Sequence, residues 1–212
     1  MEKQNHDLGG KMKNFFHEYS YSIVKMFVNQ FAISIFGFSL TIATTSAHAD
    51  SAGFDLLTFI VSIFAVIFYL FLIYTLAWDI GAKDKISVDV GKKPYRPHLG
   101  ILLSLVANIL NLLLALLYAI ATLAKSSNMT FVVRLIATLL QGMYFGIITS
   151  VSLPLKGEYI QLNSLWPTFF LIVIPAMLTS WLAYFLGLKN FRFFSFITSK
   201  KPPVDESKLK KK

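Results

Sequence analysis

The chain has 212 residues, 55% of them hydrophobic and only 15% charged, with a mean hydropathy of +0.61. A soluble domain carries about 25% charged residues, and a chain of this size keeps much of its surface in contact with its solvent; the apolar excess therefore excludes an ordinary water-soluble globule and points to lipid. No cysteine is present, which excludes disulfides, thiolate metal sites and cysteine nucleophiles.

Five apolar segments follow one another at residues 26–46, 56–78, 99–123, 131–152 and 166–187. Each is about as long as the ~20 helical residues that cross a ~30 Å hydrocarbon core. Helices satisfy their own backbone polar groups where no water is available. The pattern predicts an all-α, polytopic helical membrane protein with a domain over 26–187, a separate N-terminal segment over 1–25 and a basic tail over 188–212.

In the first segment Gln30, Ser34, Gly37, Thr41 and Thr44 recur at helical spacing and form one face. It ends in TIATTSAHADSAG, where Ala47, His48 and Ala49 resemble a signal-peptidase site after a basic leader. The apolar run is longer than a signal core, so an uncleaved first span is expected.

After the second segment comes WDIGAKDKISVDVGKKPYRPHLG, with Lys83, Lys85, Lys92, Lys93 and Arg96. These five cations mark loop 79–98 as a topological anchor and as a headgroup or membrane-protein partner surface. Ile86, Val88 and Val90 alternate before Gly91, which predicts a short strand and turn, and Pro94 and Pro97 hold the return extended. Asp84 and Asp89 read as ordinary solvated charges. The Arg96-Pro97 pair is similar to one in the first motif of membrane lipid phosphatases, but that motif has a lysine where Asp89 stands here, and its later motifs are absent. There is no phosphate loop, HExxH or GxSxG, and no histidine cluster with metal spacing. No catalytic, cofactor-binding or metal-ligating residue is expected.

The third segment places Ser104, Asn108, Asn111, Ala115, Tyr118 and Thr122 on one face, and the fifth does the same with Ala176, Ser180, Ala183 and Gly187. Such stripes serve helix packing in lipid; the alternative is a polar path between the first, third and fifth segments, lined by Asn108 and Asn111. Pro175 predicts a kink. The fourth segment is the least ordinary, with Arg134, Gln141, Gly142, Tyr144 and Gly146. Arg134 is expected to snorkel to headgroups; gripping an anion, with Gln141 on the same face, is the alternative.

Seventeen of the 20 Lys and Arg fall in residues 1–25, 79–98 and the tail, the other three in 124–134 and 153–165. Positive charge marks the cytoplasmic side, and only an even number of crossings puts those three regions together. Four spans plus a re-entrant or interfacial helix over 131–152 are therefore expected, with both termini cytoplasmic; the alternative is five spans with a translocated tail. The tail interleaves Phe191, Phe193, Phe194 and Phe196 with Lys189 and Arg192, which suits a bilayer with an anionic inner leaflet better than nucleic acid. Its KLKKK end fits endoplasmic-reticulum retrieval in a eukaryote; otherwise a bacterial plasma membrane is expected. All 11 acidic residues avoid the centres of the apolar segments, and His6, His17, His48 and His98 lie in links or near the N-terminus, which disfavours a proton-coupled pump. The expected role is non-enzymatic, transporter- or channel-like or an embedded accessory subunit, with an integral enzyme of lipid-phase substrates as the alternative.

Overall fold

A computed structural model describes residues 2–47, 56–155 and 157–191. It is 81% helical, in keeping with the all-α class. Helix α1 spans Glu2–Ala47, α2 Leu56–Asp89, α3 Leu99–Ala107, α4 Ile109–Leu123 and α5 Ser127–Leu140. A 3₁₀ turn at Gly142–Tyr144 leads into α6, Phe145–Ser150. A hairpin of β1, Ser152–Leu155, and β2, Glu158–Gln161, precedes α7, Thr168–Leu171, and α8, Ile174–Leu188.

Among the described residues three helical stretches are long and apolar enough to cross a membrane: Met12–Ser46, Leu56–Asp89 and Thr168–Leu188. Two bent pairs raise the number to five if each counts as one span. Large apolar side chains such as Phe64, Ile67, Leu113, Leu116, Phe131 and Val132 stand exposed along the helices. In water such a wall would be an aggregation surface; hydrocarbon covers it without cost.

The structure departs from the sequence expectations in several places. Residues 2–25 share one helix with the first apolar segment, because α1 runs unbroken from Glu2 to Ala47. At 1.5 Å per residue α1 is about 70 Å long, more than twice the hydrocarbon core. The predicted strand over 86–90 is instead the last turn of α2 and the residue after it. Ile86, Asp89 and Val90 are exposed, and no second strand lies beside them among the described residues, so helical hydrogen bonds win over alternation. The turn itself is present, with Gly91 at φ 71°. The link between the fourth and fifth segments holds a hairpin that pairs Ser152–Leu155 with Glu158–Gln161. Pro175 sits at the start of α8 and so marks a helix boundary, where its missing N–H costs nothing. His48, Ala49 and residues 192–212, including Phe193, Phe194 and Phe196, lie outside the described residues.

Both bends have identifiable causes. The third segment breaks by 61° at Asn108. There the Asn108 side-chain amide donates to the Ser104 carbonyl at 2.9 Å, which the Asn108 backbone N–H also uses. A side chain inserted in the ladder bends a helix. The fourth segment turns by 91° between α5 and the 142–150 stretch. Two serines from neighbouring helices satisfy the backbone groups that this turn frees. Ser34 on α1 donates to the Leu139 carbonyl at 2.7 Å and accepts the Gly142 N–H at 2.5 Å. Ser62 on α2 donates to the Met143 carbonyl at 2.6 Å and accepts the Ile147 N–H at 3.3 Å. In hydrocarbon an irregular backbone survives only with such partners.

Helices α2 and α8 pack more extensively than any other pair of elements. Their closest approach is at Gly81 and Gly187: a Cβ on Gly81 would overlap the Tyr184 carbonyl, and one on Gly187 would overlap that of Trp78. Gly81→Val is therefore expected to cost about 1–3 kcal/mol, the range for overpacking, read as a lower Tm in detergent. Gly10→Ala, whose Cβ meets nothing within 4 Å, should leave Tm unchanged or raise it.

Candidate functional site

The last turns of α2 carry a buried carboxylate with three hydrogen-bond partners among the described residues. The buried stripe of α2 runs Tyr69, Ile73, Ala77, Ile80 and Gly81 to Asp84, so helical periodicity carries Asp84 inward. It is 4% exposed. The Tyr19 hydroxyl from α1 donates to its carboxylate at 2.7 Å, and the Tyr184 hydroxyl from α8 at 2.9 Å. The Lys93 ammonium, from the segment after α2, donates to it at 2.5 Å. Lys93 also pairs with Glu18 of α1 and lies over the Tyr19 ring at 5.3 Å. Burial first, then the Arg96 guanidinium, pulls the Lys93 ammonium below its ordinary pKa. The two carboxylates it touches supply the compensating charge.

Four parts of the chain thus meet at one end: the first third of α1, the end of α2, the 90–98 return and the end of α8. Trp78 adds a bond from its indole N–H to the Phe191 carbonyl at 2.8 Å. Ser180 on α8 donates to the Gly100 carbonyl at 2.8 Å, bringing the start of α3 to the same place. Two cavities open here. One, of 240 Å³, is charged, with Glu18, Tyr19, Asp84, Lys92, Lys93 and Arg96 in its lining beside apolar side chains. The other, of 750 Å³, is a mostly apolar groove whose walls include Phe16, Tyr95, Leu102 and Val106.

The five cations expected to act together in loop 79–98 divide. Lys83 is exposed, Lys85 pairs with Asp89 at 3.2 Å, Lys93 is held by Asp84 and Glu18, and Lys92 and Arg96 line the polar cavity. The reading of Asp84 as a solvated charge is corrected, whereas Asp89 is exposed as expected. Asp84, Tyr19, Tyr184 and Glu18 were missed. The signal was present, since Asp84 continues the α2 stripe in steps of three and four, but the alternation of residues 86–90 masked it.

The polar residues of the first and third segments find different partners inside the bundle. Gln30, Ser34 and Thr41 are buried, but Ser34 serves the fourth segment and Thr41 donates to the Gly37 carbonyl at 2.9 Å. Ser104, Asn108, Asn111 and Tyr118 are buried as well. The Asn111 amide donates to Asn108 Oδ1 at 2.9 Å, and the Tyr118 hydroxyl to the Asn163 carbonyl at 3.3 Å. Among the described residues, Gln30 Oε1, Tyr69 OH, Asn111 Oδ1 and Tyr144 OH are buried without a hydrogen-bond partner. Tyr69 lies within electrostatic reach of Asn108 and Tyr144. Arg134 and Gln141 do not form one site. Arg134 is half-buried and reaches Ser164 Oγ at 3.4 Å, whereas Gln141 is buried at the 91° bend.

Among the described residues no group of three or more His, Asp or Glu could hold a metal ion. The fold and the site define an all-α chain with three to five helices long and apolar enough to span a membrane, tied at one end by a buried carboxylate. No family model, no curated protein and no solved structure matches it.

Removing the carboxylate strands two hydroxyls and an ammonium. Asp84→Leu is expected to cost about 3 kcal/mol, the low end for breaking a buried pair, because Lys93 is 29% exposed and can swing to water. Tyr184→Phe should cost about 1 kcal/mol alone and almost nothing in the Asp84→Leu background, since the two share one network. Denaturation of the four proteins in detergent reads the coupling.

Proposed function

We propose that the chain is a non-enzymatic, multi-pass integral membrane protein of the plasma membrane that works as an embedded accessory subunit, with its 79–98 end as the cytoplasmic interaction surface. The observation that carries this reading is the meeting of α1, α2, the 90–98 return and α8 at Asp84. It supports an even number of crossings, because an odd number would put the end of α8 on the far side from the end of α2. Four crossings by α1, α2, the α3–α4 pair and the α7–α8 pair meet this requirement, with α5 and α6 as a re-entrant hairpin. The positive charge of 79–98 and of the tail then faces the anionic inner leaflet. Both cavities described above open at this end, and the bundle's serines are spent on its own backbone.

With no native cysteine, single-cysteine labelling of intact cells tests the arrangement. Ile86→Cys and Ser207→Cys should be protected from an impermeant maleimide and Tyr159→Cys should react. Reaction of Ser207→Cys from outside would sink the four-crossing arrangement.

Tyr144 OH and Asn111 Oδ1, buried without a hydrogen-bond partner among the described residues, favour a second reading, a polar path for water or a small neutral solute. The double variant Asn108→Leu/Asn111→Leu separates the two. On the accessory reading it lowers stability by about 1 kcal/mol per lost buried hydrogen bond, and wild-type proteoliposomes are no leakier to water or glycerol than empty ones. On the path reading the wild type raises that permeability, and the double variant abolishes it with Tm unchanged.

A further inference from the structure

The two cavities at the 79–98 end are neighbours. Phe15, Arg96 and Leu99 line both, so Arg96 stands at their junction. The first holds charged side chains among apolar ones, and the second is mostly apolar. A water-soluble metabolite leaves the second unused, and a hydrocarbon chain leaves the charges of the first unmet. A molecule with an anionic head and an apolar tail fits the pair.

The charge on the polar side is specific. Its lining holds three cations, Lys92, Lys93 and Arg96, against two carboxylates, Glu18 and Asp84. Lys93 is taken by both carboxylates. Lys92 and Arg96 are exposed, and among the described residues neither has a hydrogen bond or ion pair through its side chain. One net positive charge faces the cavity, which matches a phosphodiester and not a doubly charged phosphomonoester. A planar guanidinium is the side chain best shaped to grip phosphate oxygens in pairs. At about 30 Å³ per water the 240 Å³ cavity holds about eight waters, room for a phosphate and a small polar substituent but not for an acyl chain.

The groove continues from there. Leu99, Leu102 and Val106 are spaced by three and four on α3 and face it as one stripe. That stripe follows α3 for about 10 Å into the third apolar segment. Phe15 and Phe16 of α1 form the other wall, and Tyr95, half-exposed, sits at the mouth, where an amphipathic ring suits the headgroup level.

We infer that this end of the protein holds one anionic glycerophospholipid, its phosphodiester against Arg96 and Lys92 and one acyl chain in the groove between α1 and α3. The site rests on the proposed membrane arrangement, in which the 79–98 end lies at the level of the inner-leaflet headgroups. It gives the accessory reading a ligand: the lipid bridges the N-terminal part of α1 and the start of α3, so its presence stabilises the surface that a partner meets.

The test is native mass spectrometry of the full chain in detergent, titrated with phosphatidylglycerol, phosphatidylcholine, water-soluble glycerophosphoglycerol and inorganic phosphate, with thermal shifts in parallel. One phosphatidylglycerol per chain is expected to be retained, with phosphatidylcholine weaker and neither soluble anion raising Tm. Arg96→Gln should weaken phosphatidylglycerol about fivefold or more, since a basic group at an anionic surface contributes on the order of 1 kcal/mol. Arg96→Lys should recover part of that loss. Arg134→Gln, at the other end of the bundle, should bind as wild type. Equal retention of the two lipids, wild-type binding by Arg96→Gln, or equal stabilisation by inorganic phosphate would each overturn the site. If Arg96→Gln melts early in lipid-free detergent, Lys92→Gln replaces it and is held to the same threshold. The topology labelling separates the two failures: a chain that inserts as proposed but ignores phosphatidylglycerol loses the lipid site alone, whereas reaction of Ser207→Cys from outside removes the membrane arrangement beneath it.

Discussion

Every polar group inside this bundle has to find its partner in the protein, and Asp84 is where that constraint gathers the chain. A carboxylate taken out of water costs several kcal/mol unless its charge is met and its oxygens are hydrogen-bonded. Asp84 has a cation and two hydroxyls, and each comes from a different part of the chain. To bring them together α1 must extend beyond the apolar segment, α2 must continue as helix past Trp78, and the 90–98 return must fold back. Helix α8 must also end at the same face. The carboxylate thus adds little net stability and a great deal of geometry, because alternative packings of α1, α2 and α8 leave it unpaired.

The same constraint explains the bends. A helix that breaks in hydrocarbon exposes carbonyls and N–H groups that lipid cannot satisfy. Ser34 and Ser62 each serve one acceptor and one donor at the 91° turn, one from α1 and one from α2. Gly142 lets α1 come close enough, since a Cβ there would strike the Ser34 carbonyl. At Asn108 the bend is made by the residue's own amide, and the freed polar capacity passes to Asn111. Small polar residues on the helix faces are therefore backbone partners first. Ser34, Ser62 and Ser180 are used in this way, and both cavities described above lie at the end around residues 79–98.

That end has an unusual division of labour among its cations. Lys93 is structural, bound to Asp84 and Glu18. Lys85 closes a helical pair with Asp89. Lys92 and Arg96 stand over the polar cavity beside an apolar groove. Charge counting treats all five alike, and only the packing around them separates anchor from site.

Sequence alone determined the helical class, the positions of the apolar segments and the anomaly of residues 131–152, because these follow from local composition and from the length a helix needs to cross hydrocarbon. Burial of Gln30, Ser34, Asn108 and Asn111 was legible too, since a 3.6-residue period puts small and polar residues on one face. The tertiary structure decided what those faces meet: Ser34 bonds residues 139 and 142, not the third or fifth segment, and no local pattern encodes the neighbour of a helix face. It also decided the fate of 79–98. Alternation over Ile86, Val88 and Val90 predicted a strand, but tertiary packing at Asp84 holds α2 helical to Asp89. The partners Tyr19, Lys93 and Tyr184 lie 65, 9 and 100 residues from Asp84. A buried charge is made tolerable by groups that only the folded chain brings within hydrogen-bond distance, so Asp84 read as solvated until its neighbours were known.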